Sequence, residues 1–380
     1  MADLTALELF AGSGWGVALN QLGIGALGIE TMPEAILTRT GAGMVTLLDD
    51  EGKGVSAADL PDDIGLGYGI HIGGPPCQTF SPAGNGEGRR NLHRVLAGID
   101  EVARGARFRP DDGDPRTWLV LEPLRVALAG RPTYIVWEQV GAVLPVWEAC
   151  AAVLRSAHGY STWTGKIRSE QYGVPQTRER AFMIARLDGV TAAPPTPTHS
   201  RYWERSPSRL DDGVLPWVSM ADALGFDGVM RSNYGTGGDP AARGERTTDQ
   251  PSPTVTGKID RNKWVYRSGR MANGTERELS GRAPTVHASR VGNVEWVHRR
   301  PATTVQGDPR IAAPGHKDRA GGEPQFGPTS IRVTVEEAAA LQSFPPEHRF
   351  AGGLGKRYLQ VGNAVPPLLA RAILETFLPC

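Results

Sequence analysis

The first 185 residues alternate short apolar runs with stretches in which apolar positions recur at helical spacing. A bounded apolar run of about four to eight residues predicts a strand, and a longer stretch with a period of about 3.6 predicts a helix. This alternation predicts strand–helix units and a mostly parallel sheet. The predicted strands are Thr5–Phe10, Gly25–Glu30, Ile70–Gly73, Tyr134–Glu138 and Ala181–Ala185, and the predicted helices include Val17–Leu22, Trp118–Leu128 and Leu144–Arg155.

The pattern changes after Ala185. Residues 188–216 are rich in Pro, Thr and Ser, which is typical of a linker or domain boundary. Thr-Val pairs then follow prolines at 254, 285 and 304, and we predict turn-then-strand units there, since the unequal spacing excludes a solenoid. Helical spacing returns from Thr334, and Pro366 and Pro367 mark the start of a last helix.

Composition narrows the class of protein. The chain has 380 residues, 40% of them hydrophobic, which is enough for a large domain with a core and a smaller second one. No apolar run approaches the roughly 20 residues that span a bilayer, and the N-terminus lacks the basic flank of a signal peptide. The three cysteines, Cys77, Cys150 and Cys380, form no CxxC pair, which argues against a disulfide framework or a zinc site. We therefore expect a reducing, cytoplasmic setting.

The charge is unevenly distributed although its sum is zero. Residues 1–100 carry 12 acidic and 5 basic side chains, whereas residues 258–310 carry 11 basic and 5 acidic ones. A basic segment of this kind indicates a surface that faces nucleic acid, and an ordinary solvated face is the alternative.

A glycine-rich turn follows the first predicted strand in the run LELFAGSGWG. Gly12, Gly14 and Gly16 allow the backbone to approach a ligand closely. Glu30 ends the next strand, where a carboxylate can accept hydrogen bonds from ribose hydroxyls. This run alone leaves a nucleotide-type cofactor and a simple tight turn open, but it excludes a P-loop because no lysine follows.

The run GGPPCQTFSPAG places Cys77 on a loop directly after a predicted strand. The carboxyl edge of an open α/β sheet is where ligands bind. The neighbouring Gly, Pro, Gln and Ser residues cannot build a core, so we interpret Cys77 as a reactive cysteine rather than a structural one.

Two further runs carry ionisable groups at strand ends. Glu138 follows an apolar strand in YIVWEQV, where desolvation can raise the pKa of a carboxyl and make it a proton donor, although a capping or ion-paired Glu is the alternative. Arg178 and Arg180 are two positions apart in QTRER and would share one face of a strand. Their planar guanidinium groups suit a carbonyl oxygen or phosphate, with a surface ion pair as the alternative.

Taken together, these runs closely resemble the cytosine-5 DNA methyltransferase family. FAGSGWG resembles the cofactor loop of the family, PPCQTFS its nucleophile loop, EQV its ENV motif, QTRER its QxRxR motif and QVGNAVPP its carboxyl-terminal GN motif. The resemblance covers residues 4–185 and about 297–378 in family order. It implies a Rossmann-like methyltransferase domain in 1–188, a smaller, mostly β or irregular target-recognition domain in 189–330, and a return of the chain to the catalytic domain in 331–380.

The resemblance also implies roles for single residues. Cys77 would attack carbon 6 of a flipped-out cytosine, Glu138 would contact ring nitrogen 3, Arg180 would hold the carbonyl oxygen of the base, and Arg178 would support the loop. The cofactor would be S-adenosyl-L-methionine, with no metal, and double-stranded DNA would be the substrate. The implied cofactor residues are Phe10, Gly12, Gly14, Glu30, Asp59, Leu119 and Asn363, and the expected DNA contacts are Ser81, Arg89, Arg90, Lys258, Arg261 and Lys263.

The sequence departs from the family pattern in places. Gln139 replaces the usual Asn, and Thr31 stands where an aromatic residue is common. The stretch from Ser81 to Arg116 is longer than the usual mobile loop, and its arginines are expected either to contact phosphates or to be disordered in the free protein.

Three alternatives stay open at this point: the tRNA-methylating branch of the family, a catalytically silent DNA-binding relative, and a nicotinamide oxidoreductase. The last would explain the glycine turn but not the Cys, Glu and Arg runs. We expect a monomer, with a cognate restriction endonuclease as a further partner if the protein belongs to a restriction–modification system.

Overall fold

The computed structural model describes residues 4–81, 85–225, 229–231, 245–257, 259, 263–265 and 331–378. Its main element is a seven-stranded sheet. The strands are β1 (Thr5–Leu9), β2 (Gly25–Ile29), β3 (Val45–Thr46), β4 (Ile70–Gly73), β5 (Tyr134–Gln139), β6 (Ser161–Arg168) and β7 (Glu179–Arg186). Their order across the sheet is β3-β2-β1-β4-β5-β7-β6.

The prediction of a mostly parallel sheet is confirmed. The first five strands in that order, β3 to β5, are parallel, whereas β7 lies antiparallel between β5 and β6. The connection from β6 to β7 is too short for a crossover and holds only a 3-10 turn, Ser169–Tyr172, so the chain must reverse direction there. Strands β3 and β6 were not predicted, because neither forms a distinct apolar run.

The helices that follow in this domain are α1 (Gly14–Gln21), α2 (Pro33–Gly41), α3 (Glu87–Arg90), α4 (Leu92–Ala103), α5 (Glu122–Gly130) and α6 (Leu144–His158). Two cores cover the two faces of the sheet. One joins α4, α5 and α6 to Ile135 and Trp137 of β5, and the other joins α1 and the last helix of the chain to Val136 of the same strand, as the alternation of side chains along a strand requires. The predicted helix Trp118–Leu128 is a 3-10 turn (Pro115–Leu121) followed by α5.

The stretch after the nucleophile loop is folded in its described part, residues 85–116. Helix α4 packs Val95 and Ile99 into the core beside the fully buried Phe80. A Cβ at Gly88 would lie 2.8 Å from the Phe80 ring, so α3 sits directly on the loop. The expectation of disorder in this stretch is therefore wrong for residues 85–116, because an apolar helix face anchors them.

A short helix, α7 (Met220–Leu224), and a second sheet follow in the chain. The strands of this sheet are β8 (Val229–Arg231), β9 (Glu245–Thr247), β10 (Lys263–Val265) and β11 (Ile331–Arg332). They are antiparallel in the order β11-β10-β8-β9. Lys258, Arg261, the side chain of Lys263 and the Thr-Val pairs at 285 and 304 lie outside the described residues.

One prediction for the middle of the chain is wrong, and another stays a prediction. The Thr254–Val255 segment forms no strand; only an isolated parallel bridge joins Ser252 to Gln176. The linker or domain boundary in residues 188–216 stays a prediction, and within this segment the carbonyl of Pro195 accepts the Tyr172 hydroxyl at 2.8 Å.

The last part of the chain returns to the first domain. It consists of α8 (Val335–Leu341), α9 (Leu354–Asn363) and α10 (Pro367–Glu375). Helix α10 begins at Pro367, as predicted, and packs against α1. Within the described ranges, no helix has the length and apolar character that crossing a bilayer demands.

Candidate active site

A cavity of about 280 Å³ opens at the carboxyl ends of β1, β2, β4 and β5. The antiparallel β7 begins at the same edge, so it adds Arg178 and Arg180 to the wall. All four predicted catalytic residues line this cavity, and so do five predicted cofactor residues: Phe10, Gly12, Gly14, Glu30 and Asn363.

The turn after β1 has an unusual backbone. Phe10 and Gly12 both have positive φ angles, 58° and 49°, so the chain turns sharply as it leaves the strand. The Glu30 carboxylate fixes this turn from across the sheet edge: Oε2 accepts the N–H of Gly12 at 3.0 Å, and Oε1 accepts the N–H groups of Thr31 and Met32. Glu30 is therefore part of the wall and also the anchor of the glycine turn.

A buried ion pair, which sequence reasoning missed, lies beneath this turn. Arg39 Nη1 contacts Glu8 Oε2 at 2.9 Å and donates to the carbonyl of Gly12 at 3.0 Å, and both side chains are 1% exposed. Burial raises the pKa of Glu8 to about 7, against the lowering effect of Arg39. Gly28 makes room for the pair, since a Cβ there would lie 2.0 Å from Arg39. Nothing in the sequence around Glu8 or Arg39 predicts that these two residues form an ion pair.

The nucleophile loop forms a tight turn around Cys77. Its carbonyl accepts the N–H groups of Phe80 (3.0 Å) and Ser81 (2.8 Å). The loop is also held from β5, where the Gln139 amide donates to the carbonyl of Pro75 at 2.8 Å. Burial and the Glu138 carboxylate raise the pKa of the half-buried Cys77 thiol, while Arg180 and Arg178 act in the opposite direction.

Glu138 faces the same cavity from the end of β5. Its Oε1 lies 3.2 Å from Nε of Arg180, and its side chain is 10% exposed. Burial raises the pKa of Glu138 above its usual range, and the two arginines offset part of that effect. Burial therefore favours the protonated form of Glu138, in which the carboxyl can donate a hydrogen bond.

Arg178 is a buried arginine that joins three distant segments. Its Nη1 donates to the carbonyls of Val255 (3.1 Å) and Gly362 (3.0 Å). The neighbouring Gln176 amide donates to Gln342 Oε1 at 2.7 Å and accepts the Val255 N–H. These contacts support the predicted role of Arg178 in holding the site rather than reacting.

The run QVGNAVPP packs closely against the other loops. A Cβ at Gly362 would lie 2.0 Å from the backbone nitrogen of Gly257, and a Cβ at Gly14 would lie 2.1 Å from the carbonyl oxygen of Val365. Both positions therefore require glycine, and this packing brings Asn363 to the cavity wall.

Two predicted cofactor residues do not line the cavity. The Asp59 carboxylate lies 3.4 Å from Arg109 Nη1, and Leu119 lies in the 3-10 turn before α5. Of the predicted DNA contacts, Arg89 and Arg90 are exposed on α3, and Ser81 is half-buried at the end of the nucleophile loop.

The sequence profile of the C-5 cytosine-specific DNA methylases matches residues 59–378. The chain belongs to this family. Among curated relatives, the methylase is 27% identical to the type II methyltransferase M1.HphI of Haemophilus parahaemolyticus, over 81% of this chain and 68% of that protein. It is 24% identical to M.AgeI of Thalassovita gelatinovora, over 98% and 99% of the two chains.

Solved structures share the fold of the methylase. The Dnmt2 methyltransferase of S. pombe superimposes with a TM-score of 0.54 at 17% identity, covering 98% of both chains. The methyltransferase EhMeth of Entamoeba histolytica gives a TM-score of 0.55 at 13% identity, covering 99% of this chain and 98% of that one.

The methylase therefore transfers a methyl group from S-adenosylmethionine to carbon 5 of cytosine in DNA. The cavity fits that cofactor, because an aromatic ring (Phe10), a carboxylate (Glu30) and a glycine turn share one wall with Cys77. The family assignment and the presence of Cys77, Glu138 and Arg180 in one cavity argue against both the oxidoreductase and the catalytically silent relative.

Proposed function

We propose that Cys77 is the nucleophile of the methylase and that Glu138 and Arg180 activate the cytosine. The observation that carries this proposal is their convergence: all three line one cavity, and Glu138 lies 3.2 Å from Arg180. Carbon 5 of cytosine is a poor nucleophile, so the ring needs covalent activation before it can take a methyl group.

In the first step Cys77 loses its thiol proton to solvent and its sulfur bonds to carbon 6 of a cytosine turned out of the duplex. The protonated form of Glu138, which burial favours by raising the pKa of this carboxyl, donates to ring nitrogen 3 and stabilises the charge that develops on the ring. Arg180 donates to the carbonyl oxygen of the base, and the Glu138–Arg180 contact keeps both groups oriented toward it.

S-adenosylmethionine, when bound, supplies an electrophilic methyl group on a sulfonium. Phe10, Glu30 and Asn363 would hold it in the cavity that Cys77 also lines. Carbon 5 would take that methyl group, and the sulfonium sulfur would keep the bonding electron pair as a neutral thioether. Carbon 5 then loses its proton to water, the bond from Cys77 sulfur to carbon 6 breaks, the ring double bond is restored, and nitrogen 3 returns its proton to Glu138. Turning the base out costs a few kcal/mol, which contacts in the cavity offset.

We further propose that residues 189–330 recognise the target sequence and that the protein is the modification enzyme of a restriction–modification system, as the type II names of its relatives suggest. Bisulfite sequencing of DNA from cells that express the protein gives both the activity and the site. Methylation confined to one short sequence supports the proposal, whereas dispersed methylation contradicts it.

The nucleophile is tested with duplexes that carry 5-fluorocytosine at the site so identified. Fluorine cannot leave carbon 5 as a cation, so the wild type should form a complex that survives denaturation. Cys77→Ser should form none while it still binds S-adenosylmethionine, because a hydroxyl ionises far less readily than a thiol. The matched control is Cys150→Ala, since Cys150 is fully buried in α6, and this variant should trap normally.

A further inference from the structure

A second cavity, of about 500 Å³, lies next to the catalytic one. The segments 177–178 and 254–255 separate the two, because Thr177 and Thr254 line the second cavity while Arg178 lines the first. We call it the arginine cavity, after the five arginines in its wall: Arg168, Arg201, Arg205, Arg209 and Arg246.

The arginine cavity has an excess of positive charge. Its wall holds two glutamates, and each is already paired: Glu179 with Arg168, and Glu204 with Arg246 at 3.3 Å. Neither Arg205 nor Arg209 forms an ion pair with any residue in the described ranges, and both are exposed. The cavity can therefore accept an anionic ligand without first breaking an ion pair.

Aromatic rings hold the guanidinium groups in place. The Cζ atoms of Arg201 and Arg209 lie 4.4 and 3.9 Å from the centre of the Trp203 ring. Asp211 fixes that ring, since its carboxylate accepts the indole N–H at 3.1 Å and the backbone N–H of Arg201 at 2.8 Å. Stacked guanidinium groups keep their N–H edges free for oxygen ligands, and Nε of Arg201 is buried without a hydrogen-bond partner among the described residues.

We propose that the arginine cavity binds the phosphodiester backbone of the DNA beside the flipped cytosine. This inference rests on the proposed function, which places the target base in the adjoining cavity. Arginine edges on a rigid aromatic support match phosphate oxygens, and phosphate contacts position a duplex without reading its sequence.

The test is a double variant, Arg205→Gln with Arg209→Gln, compared with a charge-matched control, Arg155→Gln with Arg371→Gln. The control arginines are exposed on α6 and α10 and do not line the arginine cavity. Binding of short fluorescent duplexes, one with the target site and one of mixed sequence, is measured over a salt series. Equal melting temperatures confirm that each variant is folded.

We expect the test variant to bind both duplexes about tenfold more weakly and to lower the salt slope by about one for each phosphate that is no longer neutralised, while the control stays at the wild-type values. Affinity for S-adenosylmethionine should not change, because neither Arg205 nor Arg209 lines the cavity that is assigned to the cofactor. Unchanged DNA affinity would overturn the proposal, and this result is expected if the cavity binds an acidic protein instead. A decrease in affinity for the target duplex alone would also overturn it, because that result would mean that the arginines contact bases rather than the backbone. Failure of the proposed function is separate: the wild type would then bind DNA without methylating it.

Discussion

The side-chain amide of Gln139 donates to the carbonyl oxygen of Pro75 at 2.8 Å, so the residue after Glu138 holds the loop that carries Cys77. Its own side-chain oxygen accepts the N–H of Val140, which fixes the orientation of the amide. Gln139 is one methylene longer than the usual Asn, and its amide still supports the nucleophile loop.

Replacing Gln139 should lower the rate of methyl transfer without changing cofactor affinity. Gln139→Ala leaves the buried carbonyl of Pro75 unpaired, which destabilises the native position of the nucleophile loop by about 1–3 kcal/mol. We expect the turnover of Gln139→Ala to be about tenfold lower than that of the wild type, and the turnover of Gln139→Asn to lie between those two values. Single-turnover methylation with S-adenosylmethionine titrations measures both quantities, and wild-type turnover by Gln139→Ala would show that the loop needs no support from β5.

Glu138→Gln should make Cys77 more acidic and the enzyme slower. The Glu138 carboxylate raises the pKa of the Cys77 thiol, so its removal lowers that pKa, and alkylation by iodoacetamide should reach half its maximal rate at a lower pH. Methyl transfer should nevertheless fall about a hundredfold, because the variant lacks the proton donor to ring nitrogen 3. Cys77→Ser corrects for background alkylation. If both rates rise together, Glu138 acts only through the charge it places near the thiol.

Glu30→Ala should weaken S-adenosylmethionine binding about a hundredfold, since the carboxylate accepts the Gly12 N–H of the glycine turn and the N–H groups of Thr31 and Met32 and would also make the proposed ribose contact. DNA affinity without cofactor should be unchanged. Glu34→Ala is the matched control, because Glu34 lies on α2 and pairs with Lys356 outside the cavity. Equal decreases in cofactor and DNA affinity would contradict the assignment of this turn to the cofactor.

Arg39→Met should destabilise the fold by about 3–5 kcal/mol in denaturant titrations, because it leaves Glu8 buried without its partner. The destabilisation should grow as pH rises. Burial already places the pKa of Glu8 near 7, above the unfolded value, so the unfolded state releases its proton first and stability falls as pH increases through that window. Without Arg39 the pKa rises further and the window extends to higher pH.

The double variant Glu8→Gln with Arg39→Met is the control for that experiment, since it leaves no carboxyl to titrate. It should recover part of the stability and show none of the extra pH dependence. If the double variant were as unstable and as pH-dependent as Arg39→Met, the destabilisation would not come from the unpaired Glu8 carboxyl.

The sequence was sufficient to find the cavity residues that stand in compact runs at strand ends. Cys77 and Gly12 each follow a strand closely and Glu138 lies at the end of one, so predicting the strands was enough to place all three at one edge. Arg39 could not be found in this way, because its partners Glu8 and Gly12 are brought to it by the pairing of β1 with β2.

Local propensity failed where tertiary contacts compete with it. Thr254 and Val255 favour a strand, yet the Val255 N–H is used by Gln176 and its carbonyl by Arg178, so the segment forms no ladder with a neighbouring strand. Helix α4 was within reach of sequence reasoning, since Val95, Ile99 and Val102 recur at helical spacing. The arginines of that stretch suggested a phosphate-binding loop, so the apolar face of the helix was not predicted.

The double anchor of Arg178 limits how this protein can be recombined with its relatives. One of its two carbonyl partners, Val255, lies inside the span proposed for target recognition, and the other, Gly362, belongs to the returning segment. A chimera that exchanges all of residues 189–330 would carry a foreign backbone beneath this guanidinium and against Gly362, where no side chain can be accommodated. Transplanting a new target preference therefore requires the native segment 252–257 to stay, with the upstream junction placed after Gly257.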